Sequence, residues 1–288
     1  MSENNGELAN LETGVKTWLW VIRQLKRFGL KKQLAALKEH YVRDLTESLH
    51  EGVAHSMRSF AINLISSGEA HEEHTYLSAE EFCTKARETM AKVIEIGPNQ
   101  LHCCLKGFSN EDGVDQVVTW ARSRPLDDRP SGLDDAHPVD GNTVWCALLG
   151  RNDRHTAWQP FNCFSSNDLA SHSEHFNCTR DAWPTYYRSA LVYPLRYIRK
   201  TDRRHFNVGF LAFDSPKKDA FRNIPDIFEY RNSGELRSEY HDELNKSAIF
   251  HTGAAIADTL SMVMRPFYEQ HQAEEQPLLP QPNDGEGA

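Results

Sequence analysis

The pattern of hydrophobic and polar positions is most informative between residues 187 and 215. Two apolar runs, Ala190–Leu195 and Phe206–Phe213, flank a charged connection at Arg196–His205. Both alternating sets of positions in the second run are largely apolar, which is typical of a strand that is covered on both sides. The pattern therefore predicts an antiparallel hairpin at the centre of a sheet, with its charged loop in solvent.

Two residues of this hairpin lead to further expectations. Pro194 has no amide hydrogen to donate to a ladder, so it should lie at a strand end or at a sheet edge. Gly209 removes a side chain in the middle of the second strand. We therefore expect another backbone segment or a ligand to approach the sheet closely at this position.

Apolar residues at helical spacing predict helices near both ends of the chain. In residues 17–66 they recur in steps of three and four, which predicts one long amphipathic helix or two in tandem. After a polar connection at Gly68–Tyr76, the capping box that begins at Ser78 predicts a second helix. From Ser247 a near-heptad spacing of apolar residues predicts a final helix, which could pair with the first.

Shorter elements are predicted between these helices. Two paired strands are predicted at Gln100–Phe108 and Asp115–Arg122. A long irregular loop follows at 123–141. A short helix at Thr143–Leu149 and a short strand at Gln159–Phe164 come next. Asn142 caps the short helix and Gly150 closes it. Residues 226–246 are interpreted as an insertion before the final helix.

Composition limits the classes of protein to which the chain can belong. The net charge of −9 argues against a general affinity for nucleic acid. Six cysteines in 288 residues do not indicate a disulfide scaffold. Because the sequence contains no apolar run long enough to span a membrane and no evident signal peptide, we expect a cytoplasmic protein.

Basic residues lie beside tryptophans and other apolar residues in the segment 17–32. Such a composition can contact an anionic membrane surface or dock a partner helix. The alternative is that its apolar side packs on a second subunit or on the body of the domain. We favour this alternative, because amphipathic patterns of this kind are common in soluble proteins.

Motifs of known catalytic chemistry are not found in the sequence. It contains no nucleophile elbow, no phosphate-binding loop and no H-E-x-x-H motif. The set Cys163, His172, His175 and Cys178 could form a zinc or thiol site, but its spacing does not produce paired C-x-x-C knuckles. Cys103 and Cys104 are adjacent in a strand and should point to opposite faces. We therefore expect no metal site and no catalytic residue.

The hairpin also carries a family resemblance. The run SALVYPL from Ser189, the charged turn, the run VGFLAFDS from Val208 and the following Phe221 together resemble the end of a GAF domain. The short helix, the short strand and the polar turn at Asn167 and Asp168 are similar to the middle of that family. GAF domains are sensory and regulatory ligand-binding domains. The resemblance covers residues 78–268.

The resemblance implies an α/β (α+β) fold with a central antiparallel sheet, flanking helices, and long amphipathic helices at both ends that bundle and form a dimer contact. We accordingly divide the chain into a disordered start (1–14), an N-terminal amphipathic helical segment (15–67), a GAF-like domain (78–268) and a disordered acidic tail (269–288).

The resemblance also implies a ligand site between one sheet face and the helices and loops that cross it. By position, its lining residues are Trp145, Cys146, Phe161, Phe164, Asn167, Asp168, Arg188 and Ser189. Aromatic rings would stack on a planar ligand, and the polar groups, Arg188 above all, would suit an anionic group such as phosphate. Each residue also has a structural alternative: the aromatics as core, Asp168 as a helix cap, Arg188 as the partner of a surface carboxylate.

Three functions follow as hypotheses. The favoured one is a non-enzymatic sensory or regulatory protein that binds a small molecule, for example a nucleotide-type second messenger, and signals through a helix-mediated homodimer to a separate output partner. The second is a scaffold whose GAF-like core holds no ligand. The third is an enzyme that uses Cys and His side chains. The sequence leaves open whether the protein binds a cofactor.

Overall fold

The computed structural model describes residues 48–66, 72–111, 114–124, 129, 132–151, 161–179, 183–198, 205–222, 224–230 and 234–271. The predictions for residues 1–47, including surface contact by residues 17–32, lie outside the described residues. The same holds for the acidic tail beyond residue 271.

Seven α-helices and six strands are described. After a π-helical segment at Ser48–Ala54, the helices are α1 (His55–Ser66), α2 (Glu72–Ile94), α3 (Thr143–Leu149), α4 (Trp183–Tyr186), α5 (Ile227–Tyr230), α6 (Gly234–Leu244) and α7 (Ala248–His271). The strands are β1 (His102–Glu111), β2 (Val114–Arg122), β3 (Gly132–Pro138), β4 (Phe164–Ser166), β5 (Ser189–Ile198) and β6 (His205–Ser215). Among these described helices, none is both long and apolar enough to cross a membrane.

The six strands form one antiparallel sheet in the order β3-β2-β1-β6-β5-β4. β5 and β6 pair along their whole length, from Ser189 with Ser215 to Ile198 with His205. β6 pairs on its other side with β1. The predicted hairpin is therefore confirmed as the interior of the sheet, and the fold is the α/β class with a central antiparallel sheet that the sequence indicated.

Pro194 and Gly209 occupy the kinds of position expected of them. β4 pairs only with residues 190–192 of β5, so Pro194 lies where, among the described residues, β5 has a neighbouring strand on one side only. At Gly209 the β1 backbone approaches so closely that a Cβ atom would overlap the Lys106 carbonyl oxygen. Glycine is thus required there to let two strands meet.

Helices cover one face of the sheet. α2 packs on β1 and β2, α7 packs on β5 and β6, and α1 packs against both helices. Tyr193 attaches β5 to α7, because its hydroxyl donates a hydrogen bond to the carbonyl of Phe250 in α7 at 3.1 Å. The pairing of the first described helix with the last agrees with their apolar stripes. The opposite face of the sheet is covered by α3 and the loops around it.

Three elements differ from the sequence prediction. The strand predicted at Gln159–Phe164 lies at Phe164–Ser166, as β4. α2 begins at Glu72 instead of Ser78, and Ser78 Oγ donates to the Thr75 carbonyl inside the helix instead of capping its start. In these extra turns His74 and Leu77 are exposed and Thr75 and Tyr76 are half-buried. Residues of adequate helix propensity can extend a helix in this way without deep burial.

β3 lies in the segment 123–141 that was predicted as a loop. In the described sheet β3 is an outermost strand, and such strands often carry charged residues instead of the apolar runs that mark inner strands.

The segment 226–246 contains two helices, α5 and α6, that lie beside β4. Tyr240 of α6 is fully buried, and its hydroxyl lies 2.8 Å from Ser165 Oγ and donates to the Cys163 carbonyl at 3.1 Å. Ser166 Oγ donates to the Asp226 carboxylate at 2.7 Å. These bonds attach the segment to the outer edge of the sheet, so it protects an edge strand from pairing with other chains.

Candidate functional site

A cavity of about 60 Å³ lies between the sheet and α3, on the face opposite to the helical layer. β1 contributes Cys104 and Lys106 to its wall, and β2 contributes Arg122. β6 contributes Asp214, and α3 contributes Trp145. The volume corresponds to a few water molecules.

The strand register explains why these side chains meet. Cys104 is paired with Arg122 on one side and with Ala212 on the other, and Asp214 is paired with His102. Residues that are directly opposite in a sheet share a face, and every second residue of a strand returns to it. Lys106, two residues after Cys104, therefore points to the same side as Arg122 and Asp214.

The first turn of α3 supplies an aromatic wall. Asn142 caps this helix as predicted, because its side-chain oxygen accepts from the backbone amides of Val144 and Trp145 at 3.1 and 3.4 Å. The Trp145 ring then stacks on Phe210 with a centroid separation of 4.6 Å. Trp145 is buried, and its indole Nε1 has no hydrogen-bond partner among the described residues.

Three cationic side chains are buried at this site. Lys106, Arg122 and Arg129 are each at most 9% exposed. Arg129 lies 3.3 Å from the Asp214 carboxylate, which is also buried. Lys106 Nζ donates to Thr119 Oγ1, and Arg122 Nη2 donates to the same oxygen at 3.4 Å. Two positive charges are therefore held together at one hydroxyl group.

Lys106 is also positioned against the aromatic wall. Its Nζ lies 5.8 Å from the centroid of the Trp145 ring. A cation at this distance from the face of an indole is attracted by the ring quadrupole. The lysine thus connects the charged and aromatic parts of the lining.

His137 of β3 completes the charged side of the cavity. Burial lowers the pKa of His137, and the positive charges of Lys106 and Arg122 lower it further. The imidazole therefore favours its neutral form, which has one donor and one acceptor nitrogen.

The buried thiols Cys104 and Cys163 are poorly suited to nucleophilic chemistry. Burial raises the pKa of Cys104, which lines the cavity, and of Cys163, which does not. A raised pKa keeps the less nucleophilic thiol form. Cys103 and Cys104 point to opposite faces, as predicted, since Cys103 pairs with Phe213 and Cys104 with Ala212.

Two further members of the suggested Cys and His set, Cys178 and His172, lie in separate surroundings. Cys178 lines the cavity, and its sulfur is 3.0 Å from the Tyr187 hydroxyl. His172 stacks on Phe228 with a centroid separation of 4.5 Å and lies 3.5 Å from the Asp226 carboxylate. Within the part of the chain that the structure describes, no group of three or more His, Cys, Asp or Glu side chains could hold a metal ion.

Of the residues that the resemblance placed in a ligand site, Trp145 lines this cavity. Phe161 packs edge-on against Tyr240 at 5.7 Å, and Phe164 packs edge-on against Phe228 at 5.9 Å. Cys146 Sγ donates to the Val139 carbonyl at 3.5 Å. The described contacts of these three residues are thus contacts of a packed core.

Asn167, Asp168, Arg188 and Ser189 are brought together beside the cavity. Arg188 donates to Asp168 at 2.7 Å, and Ser189 Oγ donates to the Asn167 carbonyl at 2.8 Å. These hydrogen bonds join the four residues to one another. A direct role for these residues in binding a ligand stays a prediction.

The sequence analysis did not predict five residues of the cavity lining, namely Lys106, Arg122, Arg129, His137 and Asp214. One signal was present: Lys106 and Asp214 interrupt apolar strand runs at positions that the alternation assigns to the interior. A charged residue at such a position is rarely buried without a function or a partner. The pairing of β1 with β2 and β6, which brings the charges together, could not be derived from the local pattern.

Comparison with known proteins assigns no family. No family model matches the chain, and no curated protein matches it. Among solved structures, the chain is similar to the chromophore-binding domain of an unusual bacteriophytochrome from R. palustris, with 12% sequence identity and a TM-score of 0.35. The alignment covers 75% of this chain and 61% of that chain. A likeness at this level assigns neither fold nor function.

Proposed function

We propose that this protein is a non-enzymatic sensory or regulatory module that binds a small molecule in the cavity between the sheet and α3. The observation that supports the proposal most strongly is the buried indole of Trp145, which lines the cavity and whose Nε1 has no hydrogen-bond partner among the described residues. Leaving a buried donor without a partner costs about 1–3 kcal/mol. A ligand that accepts a hydrogen bond from this indole would offset that cost.

The size of the cavity restricts the ligand. Pockets that enclose drug-sized molecules have about 300–1,000 Å³, whereas this cavity has about 60 Å³. A small ligand, or the polar end of a larger one, fits the cavity as it stands. The nucleotide-type messenger suggested by the sequence would require α3 or the neighbouring loops to move outward.

Occupancy can be transmitted through β5. Ala190 and Val192 of this strand line the cavity, while Tyr193 faces the helical layer and bonds to α7. A ligand that shifts β5 would therefore act on the α7 backbone. In our proposal this change reaches a homodimer contact made by the terminal helices, and then a separate output partner.

Native mass spectrometry of the protein taken directly from cells tests the binding proposal. We expect a bound small molecule in the wild-type protein and its loss in Ala212→Leu, which extends a side chain into the cavity. Val114→Leu is the matched control, because Val114 is exposed near the start of β2. It should retain the bound mass.

Thermal unfolding gives a second readout of the same proposal. Re-adding the identified molecule at about 100 times its Kd should stabilise the wild-type protein by roughly 2.7 kcal/mol. If no bound mass is found and no small molecule raises the Tm, the proposal is wrong and the scaffold hypothesis is preferred.

A further inference from the structure

The Trp145 indole differs from the other polar groups of the cavity lining. Lys106 donates to the Thr119 hydroxyl, and Arg129 pairs with Asp214. Among the described lining residues, Trp145 Nε1 is the one buried side-chain nitrogen or oxygen without a hydrogen-bond partner. An indole N–H donates a hydrogen bond and cannot accept one. A ligand atom that meets it must therefore be an acceptor.

The protein holds this donor in a fixed position. Trp145 belongs to the first turn of α3, which Asn142 caps, and its ring stacks on Phe210 with a centroid separation of 4.6 Å. Because Phe210 covers one face of the ring, a ligand reaches the other face or the edge, and the edge carries the N–H. The indole therefore offers a preorganised hydrogen bond in addition to a stacking surface.

Much of the remaining lining is apolar. α3, the turn after β4, β5 and β6 contribute aliphatic side chains to the cavity wall, namely Val144, Leu169, Ala190, Val192 and Ala212. All five are buried. Removing apolar ligand surface from water against such a wall contributes about 25 cal/mol per Å². The lining thus combines a donor that lacks a described partner with surfaces that suit an apolar body.

We propose that the ligand belongs to the carbonyl class: a compact apolar body that bears an uncharged acceptor oxygen, which accepts a hydrogen bond from Trp145 Nε1. This inference rests on the proposed function and specifies the chemistry of the same site. A neutral carbonyl group costs less to bury than a charged group does. The cavity of about 60 Å³ has room for a very small ketone, or for the carbonyl end of a larger molecule.

Acetone and isobutene are matched probes for this inference, because they have nearly the same shape and differ in the acceptor oxygen. Each is titrated into the full-length protein, and binding is followed by chemical shifts. Water solvates acetone better than isobutene, so the two affinities in one protein are not informative by themselves. The informative quantity is the ratio of the two affinities, compared between the wild-type protein and a variant.

Trp145→Phe removes the donor and keeps an aromatic ring beside Phe210. We expect the ratio of acetone affinity to isobutene affinity to fall at least about fivefold in this variant, because one hydrogen bond is lost. Trp120→Phe is the matched control, since Trp120 of β2 lies outside the described lining of the cavity. It should keep the wild-type ratio. An equal ratio in all three proteins would overturn the inference.

The wild-type protein also gives a readout that does not depend on a variant that folds. In ¹⁵N–¹H spectra, acetone should move the Trp145 indole proton to lower field until the shift saturates, and isobutene should not. A Trp145 signal that acetone leaves in place, as expected if the cavity takes up water alone, would overturn the inference.

Native mass spectrometry separates this inference from the proposed function. A bound molecule without a carbonyl group would refute the inference and leave the proposed function in place. If no bound molecule is found and no small molecule raises the Tm, both fail.

Discussion

At the scale of single residues, close approaches decide which side chains the fold tolerates. A Cβ atom at Gly253 of α7 would overlap the ring of Tyr193. That ring is buried and held by its hydrogen bond to Phe250, so it cannot move aside easily. The contact between β5 and α7 therefore requires glycine, although glycine is unfavourable in a helix interior.

We predict that Gly253→Ala lowers the free energy of unfolding by about 1–3 kcal/mol, which is the usual cost of overpacking a core. Gly52→Ala is the matched control, because a Cβ atom there would make ordinary contact with Lys85 at 3.6 Å. It should be neutral or stabilising by up to about 1 kcal/mol. Urea unfolding measures both, and equal effects would contradict the packing of β5 on α7.

A second residue-scale prediction concerns acid stability. Although burial alone would raise the pKa of Asp168, hydrogen bonds from Arg188 and Lys218 lower it below its usual range. A carboxyl group with a lowered pKa in the folded state stabilises the fold above its unfolded pKa, and this stability is lost as the pH falls through the folded pKa. Asp168→Asn should therefore reduce stability at pH 7 by about 1–2 kcal/mol.

The same substitution should also flatten the dependence of stability on pH below about pH 4. Urea titrations across the acid range provide the measurement. Asp242→Asn, on the exposed side of α6, should leave the curve close to that of the wild-type protein. An Asp168→Asn curve parallel to the wild-type curve would show that the Arg188–Asp168–Lys218 cluster contributes nothing to acid stability.

At the scale of elements, the segment 226–246 is an integral part of the sheet edge. We predict that Tyr240→Phe destabilises the protein by about 1–3 kcal/mol, because it removes the bonds to Ser165 and Cys163. Tyr230→Phe is the control, since Tyr230 is half-buried and its hydroxyl has no described hydrogen-bond partner. Hydrogen exchange should show faster exchange at β4 in Tyr240→Phe alone. Unchanged protection of β4 would contradict the attachment of α6 to this edge.

Elements with strong local signals were predicted well from the sequence. α3 was found with its bounds, because Asn142 and Gly150 are cap residues whose roles depend on the local backbone. The β5–β6 hairpin was found because its apolar runs are long. β3 was missed since an edge strand needs little hydrophobic pattern. The start of α2 was misplaced since none of residues 74–77 is fully buried, so the apolar pattern there is weak.

The site was predicted less completely than the fold. Trp145 was assigned through the resemblance, and the structure places it in the cavity lining. Lys106 and Arg122 were missed because their proximity depends on the β1–β2 register, which includes a shift after Leu105. Register between strands is set by tertiary packing, so neither residue could be matched with the other from spacing alone.

At the scale of the whole molecule, the sheet separates the cavity from a helical layer with exposed apolar residues. Ile62 of α1 and Met262 of α7 are 57% and 65% exposed. If the terminal helices form the homodimer contact that we propose, Met262→Glu should shift the mass in solution from dimer to monomer. Light scattering after size exclusion measures this shift. Val114→Glu, at an exposed site on β2, should remain dimeric, and a monomeric wild-type protein would contradict the dimer.

The central claim, that the cavity beside α3 is a ligand site, is tested most directly by the indole signals of the six tryptophans. ¹⁵N–¹H spectra are recorded while the wild-type protein is titrated with the small-molecule fraction of a cell extract, and Trp145→Phe assigns the key signal. The account predicts that the Trp145 signal moves and saturates while that of Trp120, on β2, stays in place. A Trp145 signal that does not move, or that moves only together with all the others, would contradict it.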